Sequence, residues 1–355
     1  MEPVKFLDLA KIWSLYEREI KEEFSNFVRD GIYIGGEQVT SFERKWANYI
    51  GCSYTVGSGN GLDALSSALH CLGVGPGDEV IVPSNTYVAT WLAVIQVGAT
   101  PIAVDANWKD FLINVEKIEE VITHRTKLIL PVHMYGLACD IDNIVQLAKN
   151  HNLLVLDDAA QSHGTLYKGK MIGSCGCDAT AWSFYPGKTL GALGDAGGVT
   201  TNSNDLAQCL RMYGNYGALE KYNHEIAGVN SRLDPFQAIA LSVRLKYLDT
   251  EIEKRRIIAN IYFTNLRGIV HIPNNYYSRS SYHLFPVWVE NREKLIAAFN
   301  ANNIDFGIHY PIALNSQPAL SKYNLLNSPQ FEVSEKIAQG IISLPISPVL
   351  EKTDA

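Results

Sequence analysis

Between Glu79 and Asp158, short uninterrupted apolar runs alternate with stretches of helical periodicity. Glu79–Pro83, Thr100–Val104, Lys127–Val132 and Leu153–Asp157 read as strands, and Tyr87–Val97 and Asp142–Asn150 as helices. A strand without polar alternation is buried on both faces, and strands separated by helices run parallel. No other feature constrains the chain as much: it demands a parallel sheet covered by helices on both sides. In such sheets ligands collect beyond the carboxyl ends of the strands. Asp158, His133 and the segment Ser84–Tyr87 all fall at that edge.

The flanks are helical. Residues about 10–29 carry Ile12, Leu15, Tyr16, Ile20, Phe24 and Phe27 at helical spacing, with Gly31 as a stop. Glu43–Tyr49 is a short helix, and the Gly-rich run 57–61 opens another, Leu62 to Leu72. Asp234-Pro235 is an N-cap followed by proline, starting a helix expected to reach Leu266. Beyond it, Tyr282–Glu290 is a strand candidate and Arg292–Asn302 a helix candidate. A length of 355 residues accommodates one large domain and a smaller lobe. The absence of a closing helix before Ala355 leads us to expect a further C-terminal segment.

Composition removes several classes of function. Hydrophobic residues make up 47% and charged residues 19%, which is ordinary for a globular protein. The net charge of −7, without a basic and aromatic cluster, argues against a nucleic-acid partner. No apolar stretch is long enough to span a bilayer. Met1-Glu2-Pro3-Val4-Lys5 lacks the pattern of a signal peptide, so a cytoplasmic protein is expected. The six cysteines fit reduced thiols, and Cys175-Gly176-Cys177 is too close for a redox or zinc motif. His133, His163, His283 and His309 show no metal spacing; each reads as a satisfied structural histidine, and no metal is expected.

Three pieces carry chemistry. Gly57-Ser58-Gly59-Asn60-Gly61 before a helix can cup a phosphate, because glycines admit the ligand and the first-turn N–H groups face it. Asp158 ends a buried strand, where a carboxylate needs a partner; adjacent Asp157 must point to the other face. Lys188 sits in the Gly/Pro-rich turn Ser183-Phe184-Tyr185-Pro186-Gly187-Lys188, followed by Gly191, Gly194, Gly197 and Gly198. A lysine in such a turn with an acid at a strand end points to pyridoxal phosphate. The amine can form a Schiff base with the aldehyde, and the acid can keep the ring nitrogen protonated.

These residues lie in ordered blocks: Gly31–Gly36 with Phe42-Glu43, Ser58–Leu65, Pro83–Thr90, Pro131–Gly136, Asp158–Gly164, Ser183–Gly198, Asn230–Asp234 and Gly307–Pro311. In them the chain resembles the DegT/DnrJ/EryC1/StrS sugar aminotransferases, from about Gly31 to Pro348. The resemblance implies the type I fold of pyridoxal-phosphate-dependent transferases. That is α/β, with a mostly parallel seven-stranded sheet in a large domain with an N-terminal helix (1–240), a bridging helix (241–266) and a smaller α+β C-terminal domain (267–355). It also assigns roles: Lys188 as the Schiff-base lysine, Asp158 on the pyridine nitrogen, Gln161 on the ring hydroxyl and Tyr87 stacked on the ring. Asn60, Gly61 and Ser183 would bind the phosphate, with Asn230 reaching across from the second subunit of a homodimer. Tyr33, His309 and Tyr310 are implied sugar-nucleotide contacts.

Gly59–Leu65 and Tyr185–Lys188 are similar to the subgroup that aminates a 3-keto group on a nucleotide-linked 6-deoxyhexose. Thr189 and Asn315 depart from the subgroup's usual Asn and His. The function implied is transfer of an amino group from L-glutamate, through pyridoxamine phosphate, to a dTDP-linked 3-keto sugar. The product would serve cell-surface polysaccharide (O-antigen) or glycoside synthesis. The alternatives are amination at C4, or a regulatory protein that has kept the fold. A sugar 3-dehydratase of this family would carry His in place of Lys188, and a dinucleotide-binding dehydrogenase would need a glycine spacing absent here.

Overall fold

The computed structural model describes residues 3–323 and 331–355. Seven strands form the central sheet: β1 (Tyr54–Ser58), β2 (Glu79–Pro83), β3 (Thr100–Val104), β4 (Thr126–Ile129), β5 (Leu154–Asp158), β6 (Ala179–Ser183) and β7 (Gly197–Thr201). Their spatial order is β1-β7-β6-β5-β4-β2-β3. Strand β7 is antiparallel to both of its neighbours, and the other pairings are parallel. The expected mostly parallel seven-stranded sheet is therefore the one observed. Val80, Ile81, Val82, Leu128 and Ile129 are fully buried, as continuous apolar strands require.

The helices are α1 (Leu9–Ser14), α2 (Glu17–Asp30), α3 (Glu37–Ile50), α4 (Gly61–Cys71), α5 (Ala89–Gln96), α6 (Ile141–Asn150), α7 (Asn204–Tyr213), α8 (Pro235–Leu245) and α9 (Leu248–Leu266). Two expected helices are each broken in two. The segment 10–29 bends at Leu15-Tyr16, where Tyr16 (φ −118°, ψ 7°) leaves the helical region. The bend lets Ile12, Tyr16 and Ile20 all pack on Ala240 and Val243 of α8. The bridging helix breaks at Tyr247 (φ −112°, ψ −2°), whose ring stacks on Tyr16 at 4.8 Å. Helix α3 begins well before the expected Glu43, because Gly36 (φ 82°) turns the chain into it. Its buried stripe is Val39, Phe42, Trp46 and Ile50.

A smaller core lies around the end of α9. Ile258, Ala259 and Tyr262 pack on strand β8 (Phe285–Trp288) and strand β9 (Ile341–Leu344), which pair antiparallel. Helix α10 (Arg292–Ala301) completes it, while α11 (Glu332–Gly340) packs Ile337 into the large core. The strand expected over 282–290 shortens to β8; Tyr282 takes a left-handed φ of 48°, which no strand continues through. The N-terminal segment joins this lobe through Val4 N–H to Asn303 C=O and Asp305 N–H to Val4 C=O, both 2.9 Å. Among the described residues no helix is long and apolar enough to cross a membrane.

Candidate active site

Parallel strands deliver their carboxyl ends to one edge, where β5 ends at Asp158, beside Ala181, and neighbouring β6 runs two residues further to Ser183. The antiparallel β7 starts at the same edge, with Gly197 paired to both Ser58 and Ser183. A Cβ on Gly197 would lie 2.2 Å from the Asn60 carbonyl oxygen, and one on Gly61 would lie 2.6 Å from Ser183 Cβ. Only glycines let the loop before α4 close onto β6 and β7.

Asn60 is the N-cap of α4, its side-chain oxygen accepting from Asp63 N–H at 2.8 Å. That use leaves only its amide N–H groups for a ligand. The Gly61 and Leu62 N–H groups lie in the first turn, where a helix has no internal acceptors. They form an anion-binding end beside the Ser183 hydroxyl.

The two neighbouring acids diverge as the extended chain requires. Asp158 accepts from Thr90 Oγ1 at 2.9 Å and from Ala160 N–H at 3.1 Å. Burial raises its pKa, while those two donors, Lys188 and His133 pull it back. Asp157 points to the other face, with Oδ1 3.4 Å from His133 Nε2. His133 is thus turned away from the edge where its place in the chain had put it. Thr90 lies one turn after Thr86, and the two hydroxyls bond at 2.9 Å. Sequence reasoning missed Thr90, although its i+4 spacing from Thr86 was legible.

Lys188 is half-buried in a cavity of about 240 Å³ lined by Phe6, Leu7, Gln161, Tyr185, His283, His309 and Tyr310, among others. Burial lowers its pKa to about 8, against the opposing pull of Asp158. About a tenth of the amine is therefore unprotonated at neutral pH, far more than for an ordinary lysine, and a nucleophile needs that form. Gln161 accepts from Tyr135 N–H at 2.7 Å and donates to the Tyr310 hydroxyl at 3.4 Å. Tyr135 holds a left-handed φ of 64° and donates its hydroxyl to the His309 carbonyl at 3.1 Å. Nothing in the sequence signals that backbone geometry.

His309 stacks on Phe6 at 5.8 Å and shares a 2.9 Å hydrogen bond with Ser343. Burial lowers its pKa to about 4, so the imidazole meets a ligand neutral. Tyr87 is exposed, its ring 5.5 Å from that of Tyr310. His163 corrects an expectation: neither ring nitrogen has a hydrogen-bond partner, and Trp46, Trp182 and Phe184 surround it at 5.4–5.7 Å. His283 likewise has Nδ1 buried and unpaired.

Tyr33 and Asn230 stand apart from this group within one chain. Tyr33 is exposed, with its hydroxyl 3.3 Å from the Val28 carbonyl and its ring edge-on to Phe27. Asn230 is exposed on the loop whose Ser231 hydroxyl accepts from Gly59 N–H and donates to Asp63.

An amine of lowered pKa, a buried acid held by a hydroxyl, and an anion cup at one edge of an α/β sheet fit pyridoxal phosphate. Fold and site together define a pyridoxal-phosphate-dependent transferase. Residues 15–355 match the DegT/DnrJ/EryC1/StrS aminotransferase family, and the chain belongs to it. It is similar to a dTDP-3-amino-3,6-dideoxy-alpha-D-galactopyranose transaminase of Aneurinibacillus thermoaerophilus. The two are 45% identical over 99% of this chain and 96% of that protein. Its fold is that of DesV from S. venezuelae, solved in complex with a ketimine intermediate. The TM-score is 0.96 at 40% identity, covering 100% of this chain and 96% of that one. NtdA from Bacillus subtilis, with bound cofactor PMP, superposes with a TM-score of 0.92 at 31% identity, over 100% of this chain and 83% of that one.

Proposed function

We propose that the chain transfers the amino group of L-glutamate to C3 of a dTDP-linked 3-keto-6-deoxyhexose. The product is a 3-amino-3,6-dideoxyhexose for cell-surface polysaccharide or glycoside synthesis. The observation that carries the reading is Lys188, an amine of lowered pKa across from the buried Asp158. Similarity to the galactopyranose transaminase supports the position on the sugar.

Pyridoxal phosphate, when bound, supplies an aldehyde that takes up an amine and a ring that draws electrons from the adjoining carbon. Lys188 would take up the aldehyde and, as a free amine, would accept the proton from the donor's Cα and deliver one to the sugar carbon that is aminated. Asp158, fixed by Thr90 and Ala160, holds the ring nitrogen protonated. Gln161 bonds the ring hydroxyl and Tyr87 covers the ring face. Gly61 N–H, the Asn60 amide and the Ser183 hydroxyl hold the phosphate, with Asn230 completing the cup in the second subunit of a homodimer. His309 and Tyr310 orient the sugar, and Tyr33 contacts the nucleotide-linked substrate at the subunit boundary. In domain terms, residues 1–240 hold the cofactor, 241–266 bridge, and 267–355 form the small domain. The work is cytoplasmic, where nucleotide sugars are made.

The test is to incubate the chain with pyridoxal phosphate, L-glutamate and the 3-keto or the 4-keto dTDP sugar, and to read the amine position by NMR. A product aminated at C4 only would overturn the C3 assignment. Lys188→Ala should lose both the visible absorbance of the bound cofactor and turnover; transamination by that variant at the wild-type rate would remove Lys188 from its role.

A further inference from the structure

Arg244 in α8 and Arg255 in α9 are both fully buried, and their guanidinium groups hold backbone next to the Lys188 cavity. Arg244 donates from Nη1 to the Gly191 carbonyl and from Nη2 to the Thr189 carbonyl, each at 3.0 Å. Thr189 is the residue after Lys188. Arg255 donates from Nη1 to the Ile346 carbonyl at 2.9 Å and to the Tyr282 carbonyl at 3.5 Å. Ile346 lines the cavity, and Tyr282 precedes His283, which also lines it.

One carboxylate anchors Arg244. Glu251 Oε2 accepts from Arg244 Nη2 at 2.7 Å, and Oε1 accepts from the Tyr16 hydroxyl at 2.7 Å. Its charge also acts on Arg255, against the burial that lowers that guanidinium's pKa to about 10. Two buried cations with one anion are costly to bury, and stability alone is a weak reason to keep such a group. A planar fork that spans two carbonyls of one turn, those of Thr189 and Gly191, is, in contrast, a good way to fix a loop.

We propose that Arg244, Glu251 and Arg255 are positioning residues that set the depth of Lys188 and the opening of its cavity. Arg244 holds the turn that carries Lys188, Arg255 holds the backbone at Ile346 and Tyr282, and Glu251 anchors Arg244. Tyr16 brings the N-terminal helices into the same device, next to the Phe6 and Leu7 side of the cavity. The inference rests on Lys188 being the residue that takes up the aldehyde.

Arg244→Lys keeps the charge but cannot span two carbonyls and Glu251 at once. In the folded variant the Lys188 turn relaxes toward water. The pH midpoint for capture of pyridoxal phosphate by the cofactor-free chain then moves up. The kcat falls by up to about 100-fold, as for a misplacement of roughly 1 Å, while KM for both substrates stays. Tyr16→Phe, which removes a single hydrogen bond to Glu251, shifts both quantities less and in the same direction. A folded Arg244→Lys with wild-type midpoint and kcat, or with a loss confined to KM, would overturn the proposal. Where Arg244→Lys does not fold, unaltered values in Tyr16→Phe overturn it. If the wild-type chain shows no capture that depends on Lys188, the reading of Lys188 falls first, and the clamp loses its purpose with it.

Discussion

Burial disfavours the ammonium form of Lys188 more than Asp158 restores it, and the balance leaves its pKa at about 8. Uptake of an aldehyde needs the free amine. The rate of pyridoxal phosphate capture by the cofactor-free chain should therefore rise with pH and level off above about 8. A stopped-flow pH series checks this, and a profile still rising at pH 10 would mean an ordinary exposed lysine. Asp158→Asn should keep cofactor binding and lose about 100-fold or more in kcat, the scale of one lost electrostatic partner in a transition state. Asp157→Asn should leave kcat nearly intact, because that carboxyl faces His133 instead. Alternation in the sequence said that only one of the two acids can face the ligand edge and singled out Asp158; in the sheet Asp157 does face the other way, toward His133.

At the scale of elements, the helix α4 cup depends on absent side chains. Gly61→Ala would press a methyl against Ser183, where overpacking costs about 1–3 kcal/mol. Cofactor affinity should then fall about 10-fold, measured by fluorescence titration, with Ser183→Ala giving a smaller loss. The strands β2 and β3 were legible to the residue, since four or five apolar residues in a row between turns have few other fates. Helix breaks were not legible. The bends at Tyr16 and Tyr247 place two rings in stack and carry Tyr16 to Glu251, contacts between segments far apart in sequence. Periodicity reports which residues want burial, and says nothing about where a helix must turn to reach its partner.

For the whole molecule, the proposed site shared between two copies would give the exposed Asn230 and Tyr33 a partner to reach. Mixing Lys188→Ala with Asn230→Ala chains should then restore activity to about a quarter of wild type after subunits exchange, since half the dimers carry one intact site. No recovery above the sum of the separate variants would place Asn230 outside the partner's site. The sequence by itself determined the parallel sheet and the family, and it singled out Lys188 and Asp158 as the proposed amine and acid, because strand hydrophobicity and short local motifs encode these directly. The tertiary structure alone decided that Thr90 holds Asp158, that Phe6 and His309 wall the cavity, and that Arg244 and Arg255 hold backbone next to it. Those contacts join residues up to hundreds of positions apart. Burial, which is a property of the packed chain and of no single segment, is what lowers the pKa of Lys188 to about 8 and favours its free amine.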